Sequence, residues 1–279
     1  MTAAQDERFE HILLERKDDG TAVITLNRPD SRNAMNSRAQ TELIEALDRC
    51  RTDTRAIVLT GAGPAFCAGV DLKERRQAIQ IPGPAYHGDS WTEANMALYE
   101  HPAICIAAVN GHALGGGMTL INSCDLAIAA DEATLGMPEV TFGAYPAYAG
   151  PSTQLRTLPK TAAWLILTAE RIDGKRAVEL GIVNKSVPLA DLMTTATRLA
   201  SDVATRDPAT LDWCKKATHQ VPTVIQDYRS ALEYGPTVTQ QIRARTQAYA
   251  ASLETFEKSG VGNSQASQVA TASKGDDDA

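Results

Sequence analysis

Aromatic residues are scarce in this chain, at 5% of 279. Its core must therefore be built mostly from aliphatic side chains. The five cysteines (Cys50, Cys67, Cys105, Cys124, Cys214) are scattered and odd in number, and no CxxC pair occurs. That usage reads as reduced thiols in a cytosolic, cytoplasmic protein. Histidine and cysteine do not cluster at ligand spacings, so no metal is expected. No basic cluster of five or more appears, and the formal net charge is -7. Nucleic-acid binding is disfavoured on that balance. No apolar run approaches the roughly 18 residues of a membrane helix. Met1 to Glu10 is polar and charged, unlike a secretory signal. A Gly-x-Ser-x-Gly elbow and an evident Ser-His-Asp set are both missing, which sets a serine peptidase aside.

What is present suits one large domain, or one domain with a helical appendage, at 43% hydrophobic content. His11 to Glu15 and Thr21 to Leu26 flank Lys17-Asp18-Asp19-Gly20, a hairpin signal. Ser37 is the expected N-cap of a helix to about Arg51. Strands are expected at Ala56 to Thr60, Ile104 to Val109, Asp125 to Ala130, Ala133 to Gly136 and Ile182 to Val187. Trp91 to Tyr99 reads as a helix, and residues 75–95 otherwise as a long irregular loop. Helices are expected at Lys160 to Ala169, Gly174 to Leu180, Leu189 to Thr205, Pro208 to Gln220 and Pro222 to Lys258. Apolar strands alternating with helices indicate a layered α/β core. The tail from Ser259 to Ala279 is rich in Gly, Ser, Gln and Asp, the composition of a disordered acidic segment.

The most informative stretch is Asn110-Gly111-His112-Ala113-Leu114-Gly115-Gly116-Gly117-Met118-Thr119. Three glycines between a strand and a helix let the backbone approach a ligand closely. They also leave free N–H groups at a helix N-terminus, where negative charge is favoured. A phosphate is one candidate, but Met118-Thr119 stands where a phosphate loop has Lys-Ser/Thr. A developing thioester oxyanion is the other.

A second stretch, Ala65-Phe66-Cys67-Ala68-Gly69-Val70-Asp71-Leu72-Lys73, decides between them. Together with Leu26-Asn27-Arg28-Pro29, Asn33-Ala34-Met35-Asn36 and Cys124-Asp125-Leu126-Ala127-Ile128-Ala129, it resembles the enoyl-CoA hydratase/isomerase (crotonase) superfamily over roughly residues 8 to 258. The resemblance implies an α/β fold: a crotonase-like ββα spiral core over residues 1–200 and a C-terminal helical trimerisation region over 201–258, before the tail at 259–279. It implies an acyl-CoA thioester substrate and a homotrimer or dimer of trimers, with CoA as part of the substrate and no separate cofactor. It also implies that the 75–95 loop is a lid over the acyl pocket. A non-catalytic RNA-binding relative on the same fold is the rival of a different class, and the acidic balance speaks against it.

Residue by residue, the resemblance assigns the oxyanion hole to the N–H groups of Val70 and Gly116. Glu139, in Gly136-Met137-Pro138-Glu139-Val140, matches a catalytic glutamate, although Pro-Glu is also an ordinary helix first turn. Thr119 departs from the two-glutamate hydratases, which carry a second glutamate there. A hydroxyl at this place with one glutamate later is similar to the hydroxycinnamoyl-CoA hydratase-lyases, the branch nearest in pattern. Arg75 stands where that branch has a tyrosine; Tyr228 and Tyr234 are alternative phenol contacts. Ala147 lies near the aspartate of dienoyl-CoA isomerases and aryl-CoA dehalogenases and argues against both. Tyr145 and Tyr148 either line the acyl pocket or simply pack. For CoA, Arg28, Lys73 and Lys258 are implied as phosphate partners, with Ala68, Asp71 and Leu72 shaping the adenine pocket. His87, His101 and His112 read as core or loop residues.

Overall fold

The computed structural model describes residues 5–79 and 89–258. Strand β2 (Ile12–Arg16) pairs antiparallel with both β1 (Gln5–Arg8) and β3 (Thr21–Leu26). The expected hairpin is β2–β3, with Glu15 opposite Val23. Helix α1 (Ser37–Arg49) follows, capped by Asn36 and not by Ser37: the Asn36 side chain accepts from Ala39 N at 2.9 Å. Its face of Ala39, Leu43, Ala46 and Leu47 is buried, as helical spacing requires.

The chain then repeats one manoeuvre. Strand β4 (Ala56–Gly61) leads to β5 (Ala65–Cys67) and to helices α2 (Leu72–Ile79) and α3 (Asp89–Tyr99). Strand β6 (Ile104–Val109) leads to β7 (His112–Leu114) and α4 (Gly116–Ser123). Strand β8 (Leu126–Ala130) leads to β9 (Thr134–Gly136), a 3-10 turn at Pro138–Phe142, and helices α5 (Ala149–Arg156), α6 (Pro159–Thr168) and α7 (Gly174–Glu179). Strand β10 (Lys185–Val187) closes the series before α8 (Leu189–Ala204). One sheet has the order β1-β2-β3-β4-β6-β8-β10; a second has β5-β7-β9. Each pass thus gives one strand to each sheet and then turns into helix, which is the expected ββα spiral. Strands of the small sheet have only three residues each, too few to leave a repeat in the sequence.

Strands β4 and β6 pair in parallel and are buried along nearly their whole lengths, which explains their unbroken apolar runs. The largest fully buried side chains are aliphatic or methionine apart from Phe66 and Trp91. At about 1.5–3 kcal/mol per large buried side chain, such a core carries most of the stabilisation.

Two compact units are present, Met1–Lys215 and Lys216–Ala279. The first ends within α9 (Pro208–Val224), where buried Lys215 Nζ lies 2.8 Å from Asp125 Oδ2 and 3.1 Å from Ala103 O. The second holds the rest of α9, then α10 (Tyr228–Arg243) and α11 (Ala248–Lys258). The single helix expected over Pro222 to Lys258 is therefore corrected. Helix α9 runs through Pro222, and Asp227 starts a new helix by accepting from Ser230 N at 3.0 Å. Residues 75–95 are also more regular than expected, since α2 reaches Ile79 and α3 begins at Asp89. The lid assigned to the stretch between them and the tail from Ser259 lie outside the described residues. No helix among the described residues is long and apolar enough to cross a membrane.

Candidate active site

Two asparagines fix the turn between β4 and β5. Asn33, in the left-handed region at φ 55, donates from Nδ2 to Ala62 O and Ala65 O at 2.9 and 2.7 Å, and its Oδ1 accepts from Arg28 N at 2.9 Å. Asn110 donates to Gly63 O at 2.9 Å and accepts from Gly61 N at 3.1 Å. The chain beyond β5 is then held by Met35. Met35 N donates to Gly69 O at 2.8 Å, and Met35 O accepts from Asp71 N at 3.1 Å. In such a parallel bridge the middle residue turns its own N–H and C=O to the other side. Val70 therefore points its N–H away from Met35.

The glycine turn meets it there. Gly115 N donates to Gly136 O at 2.9 Å, Gly115 takes φ 52, and α4 begins at Gly116. The first N–H groups of a helix have no intrahelical acceptor. The approach is close enough to exclude a side chain. A Cβ on Gly116 would lie 3.0 Å from Gly69 Cα and 3.2 Å from Val70 N. One on Gly69, at φ 94, would lie 2.8 Å from Gly116 N. Neither the Val70 nor the Gly116 N–H has an acceptor among the described residues. Two adjacent free donors at a helix N-terminus suit a negatively charged oxygen.

Glu139 lies across the same turn, carried by the 3-10 turn that Pro138 opens. A Cβ on Gly115 would come within 2.5 Å of its Oε1. Its Oε2 is buried with no partner among the described residues. Burial pushes this carboxyl above its ordinary value, opposed only by its own backbone N–H. Thr119 is one turn beyond Gly115 on the same face of α4. Helical side chains lean toward the N-terminus, so Thr119 leans toward the Gly115 turn. It is buried, and Oγ1 has no partner among the described residues. Trp91, at the start of α3, forms a wall that no motif marked. Its Cζ2 is 3.0 Å from the Cβ position at Gly116, and its buried Nε1 has no partner among the described residues.

The structure brings Val70, Gly116, Glu139 and Thr119 to this one turn. The remaining expected residues divide. Arg28 Nη1 pairs with Asp71 Oδ2 at 3.0 Å and also bonds Ala34 O. Asp71 Oδ1 caps α2, accepting from Lys73 N at 3.0 Å. Burial pushes the Asp71 carboxyl up, but the Arg28 bond and the capping N–H groups outweigh it and hold it below its ordinary value. Arg28 and Asp71 thus tie the first loop to the second. Ala68 is half-buried, with its N donating to Arg32 O at 2.9 Å. Leu72 and Lys73 are exposed. Tyr145 is exposed, its Oη 3.4 Å from Gln154 Oε1; Tyr148 packs against the core and Ala147 is exposed. In the second unit Tyr228 is exposed and Tyr234 bonds Gln220. Lys258 ends α11; its side chain, that of Arg75, and His87 lie outside the described residues. His101 is a core residue, its Nδ1 accepting from Ala103 N and its Nε2 3.0 Å from Leu47 O. Burial lowers its pKa to about 4, so the ring is neutral. Burial also pushes the Cys67 thiol up to about 12, which leaves it unreactive.

A family model described as enoyl-CoA hydratase/isomerase matches residues 16–257. The chain belongs to the enoyl-CoA hydratase/isomerase family. It is 37% identical over 204 residues to the hydroxycinnamoyl-CoA hydratase-lyase of Pseudomonas fluorescens, covering 70% of this chain and 73% of that one. It is 36% identical over 216 residues to the short-chain-enoyl-CoA hydratase of Clostridium acetobutylicum, covering 75% and 81%. Among solved structures, an enoyl-CoA hydratase of Mycobacterium smegmatis superposes with a TM-score of 0.82 at 28% identity, covering 90% of this chain and 97% of that one. Those relatives share the crotonase fold, and this chain has it too.

Proposed function

We propose that the protein holds the carbonyl of an acyl-CoA thioester between the N–H groups of Val70 and Gly116 and hydrates or isomerises the enoyl chain. The observation that carries this reading is the pair of unclaimed backbone donors on two closely packed turns, with the half-buried Glu139 carboxyl across the same turn. As the thioester becomes an enolate, charge moves onto its oxygen. One preorganised donor aimed at that oxygen is worth about 2.7–4 kcal/mol of barrier. Glu139 moves the proton, and its upward shift brings it nearer the working pH. Thr119 is no general base near neutral pH; its hydroxyl holds water or a substrate oxygen.

Cleavage of a hydroxycinnamoyl-type thioester is the second reading. Threonine at 119 and the likeness to the Pseudomonas fluorescens enzyme favour it. There, added water is followed by a retro-aldol step that releases an aldehyde. Decarboxylation and thioester hydrolysis draw on the same oxyanion. For CoA, exposed Lys73 and Leu72 are offered directly, Ala68 and Tyr145 as contacts, and Lys258 as a further phosphate partner. Arg28 and Asp71 serve by holding the loop. Exposed Leu155, Leu158, Trp164 and Leu167, on α5 and α6 and at the turn between them, support a homotrimer or dimer of trimers that covers them.

The test is mass spectrometry of a panel of 2-enoyl, 3-enoyl, hydroxycinnamoyl and malonyl-type CoA thioesters, with the protein and with Glu139→Gln. Added water supports hydration, a moved double bond isomerisation, and an aldehyde plus acetyl-CoA cleavage. Loss of carbon dioxide or free CoA moves the reaction to decarboxylation or hydrolysis. No change in any thioester overturns the catalytic reading.

A further inference from the structure

Three buried polar atoms without partners among the described residues border the glycine turn: Glu139 Oε2, Thr119 Oγ1 and Trp91 Nε1. The proposed reaction uses the first two. Activation of a thioester needs no third side chain, so Trp91 is left over. Its orientation is informative. Of the Trp91 ring, Cζ2 approaches the Gly116 Cβ position most closely, at 3.0 Å. In an indole, Cζ2 and Nε1 are bonded to the same ring atom, so Nε1 is two bonds from the atom that touches the turn.

The ring is also held in place. Asn95 Nδ2 donates to Trp91 O at 2.8 Å, and Asn95 Oδ1 is 3.0 Å from Ser123 Oγ. This polar seam ties α3 to α4. One residue before Trp91, Ser90 Oγ bonds Gln40 on α1. A buried indole N–H can only donate, and it normally has a partner. Among the described residues it has none, and an oxygen of a bound ligand would satisfy it.

On the acyl-CoA reading above, we propose that Trp91 is a specificity-determining residue whose Nε1–H binds an oxygen on C3 of the acyl chain. The site then prefers thioesters oxygenated at that carbon over plain acyl chains. A 3-hydroxyl accepts from Trp91 and donates to the Glu139 carboxylate. A 3-oxo group accepts from Trp91 and from the Thr119 hydroxyl. A saturated hydrocarbon chain leaves all three groups unsatisfied, at a cost in binding.

Calorimetric titration with 3-oxobutanoyl-CoA and with butanoyl-CoA separates the possibilities, using the full chain and W91F. Phenylalanine keeps an aromatic wall and removes the donor. The unaltered protein is expected to bind the 3-oxo thioester more tightly. W91F is expected to lose about five- to tenfold in that affinity, the weight of one hydrogen bond, with butanoyl-CoA unchanged. Equal weakening of both ligands, or of neither, overturns the role of Trp91. A second measurement does not depend on W91F folding. The Nε1–H nuclear resonance of Trp91, assigned by W164F and W213F, should move downfield with 3-oxobutanoyl-CoA and not with butanoyl-CoA; an unmoved resonance refutes the inference. If both thioesters bind without preference, only the Trp91 inference falls. If neither binds the unaltered protein, the acyl-CoA reading falls and takes the inference with it.

Discussion

Gly69→Ala tests the two-donor geometry with a single added carbon. Gly69 sits at φ 94, and the new Cβ would lie 2.8 Å from Gly116 N and 2.9 Å from Leu114 O. Both are backbone atoms, so neither can swing aside. Two effects then add. An L-residue in a positive-φ conformation costs about 1–2 kcal/mol of stability. Covering the Gly116 N–H removes one donor, about 2.7–4 kcal/mol of barrier or roughly 10²–10³ in kcat. Gly181→Ala isolates the first effect. Gly181 has φ 70, and nothing lies within 4 Å of its Cβ position. Calorimetric melting and kcat on the thioester found by the panel should therefore diverge. Both variants should melt lower, at about 2–4 °C per kcal/mol for a domain of this size, and Gly69→Ala by the more, because its Cβ also overlaps backbone atoms. Only Gly69→Ala should lose kcat by two to three powers of ten. Equal kcat values for the two alanine variants would refute the assignment of Gly116 N–H as a donor to the substrate.

Glu139→Gln should abolish turnover and keep CoA binding; retained turnover rejects Glu139 as the proton carrier. The same variant should be more stable than the parent at pH 7. A carboxyl with a raised folded pKa favours the fold while protonated and loses that contribution as pH rises through the folded value, so the gap in melting temperature should close below the ordinary value of 4.5. Arg28→Met should cost about 3 kcal/mol in denaturant unfolding, because it leaves the little-exposed Asp71 carboxylate unpaired. Asp71 titrates low, so that difference should be present above its ordinary value of 3.8 and vanish as the pH falls through the lower folded value; a difference that persists in acid would assign the loss to packing. Thr119→Glu should raise plain hydration of a 2-enoyl thioester by supplying a second carboxylate, and unchanged hydration would show that Thr119 is not the residue limiting it.

The central strands of the large sheet were legible because each is an apolar run long enough to stand out, as at Ala56–Gly61 and Ile104–Val109; polar β1, Gln5–Arg8, gave no such signal. Of the small sheet only β9 was legible, within the strand expected at Ala133 to Gly136; β5 and β7 were not. Its strands have three residues each and pair in parallel with one another, so their regularity comes from tertiary register. At the site, the glycine turn and the loop before Lys73 were legible because close backbone approach demands glycine at Gly69 and Gly116. Arg28 and Asp71 were legible as residues and not as a pair. They are 43 positions apart, and the sequence reading sent both to CoA, whereas the fold bonds them to each other at 3.0 Å. Trp91 carried no signal, since a lone tryptophan at a helix start looks like any core residue. The break after Val224 was available in Asp227 and Ser230, a capping pair that helical periodicity alone overlooked.

The spiral explains why two short loops far apart in sequence can act as one site. Strands β4 and β6 are direct neighbours in the large sheet, and β5 and β7 in the small one, so the segments just after β5 and β7 emerge side by side. Val70 and Gly116 meet by that register, and the groups they offer are main-chain N–H. The donor pair therefore constrains the backbone and the glycines, and leaves the Val70 side chain unconstrained. The side chains free to choose the reaction are those set around the pair: Glu139 across Gly115, Thr119 one turn along α4, and Trp91 against Gly116. One carboxylate, one hydroxyl and one indole N–H bind an oxygen well but contain a single base near neutral pH. A reaction that needs two carboxylates at once is the one this arrangement serves least, and a reaction in which Glu139 alone carries the proton is the one it serves best.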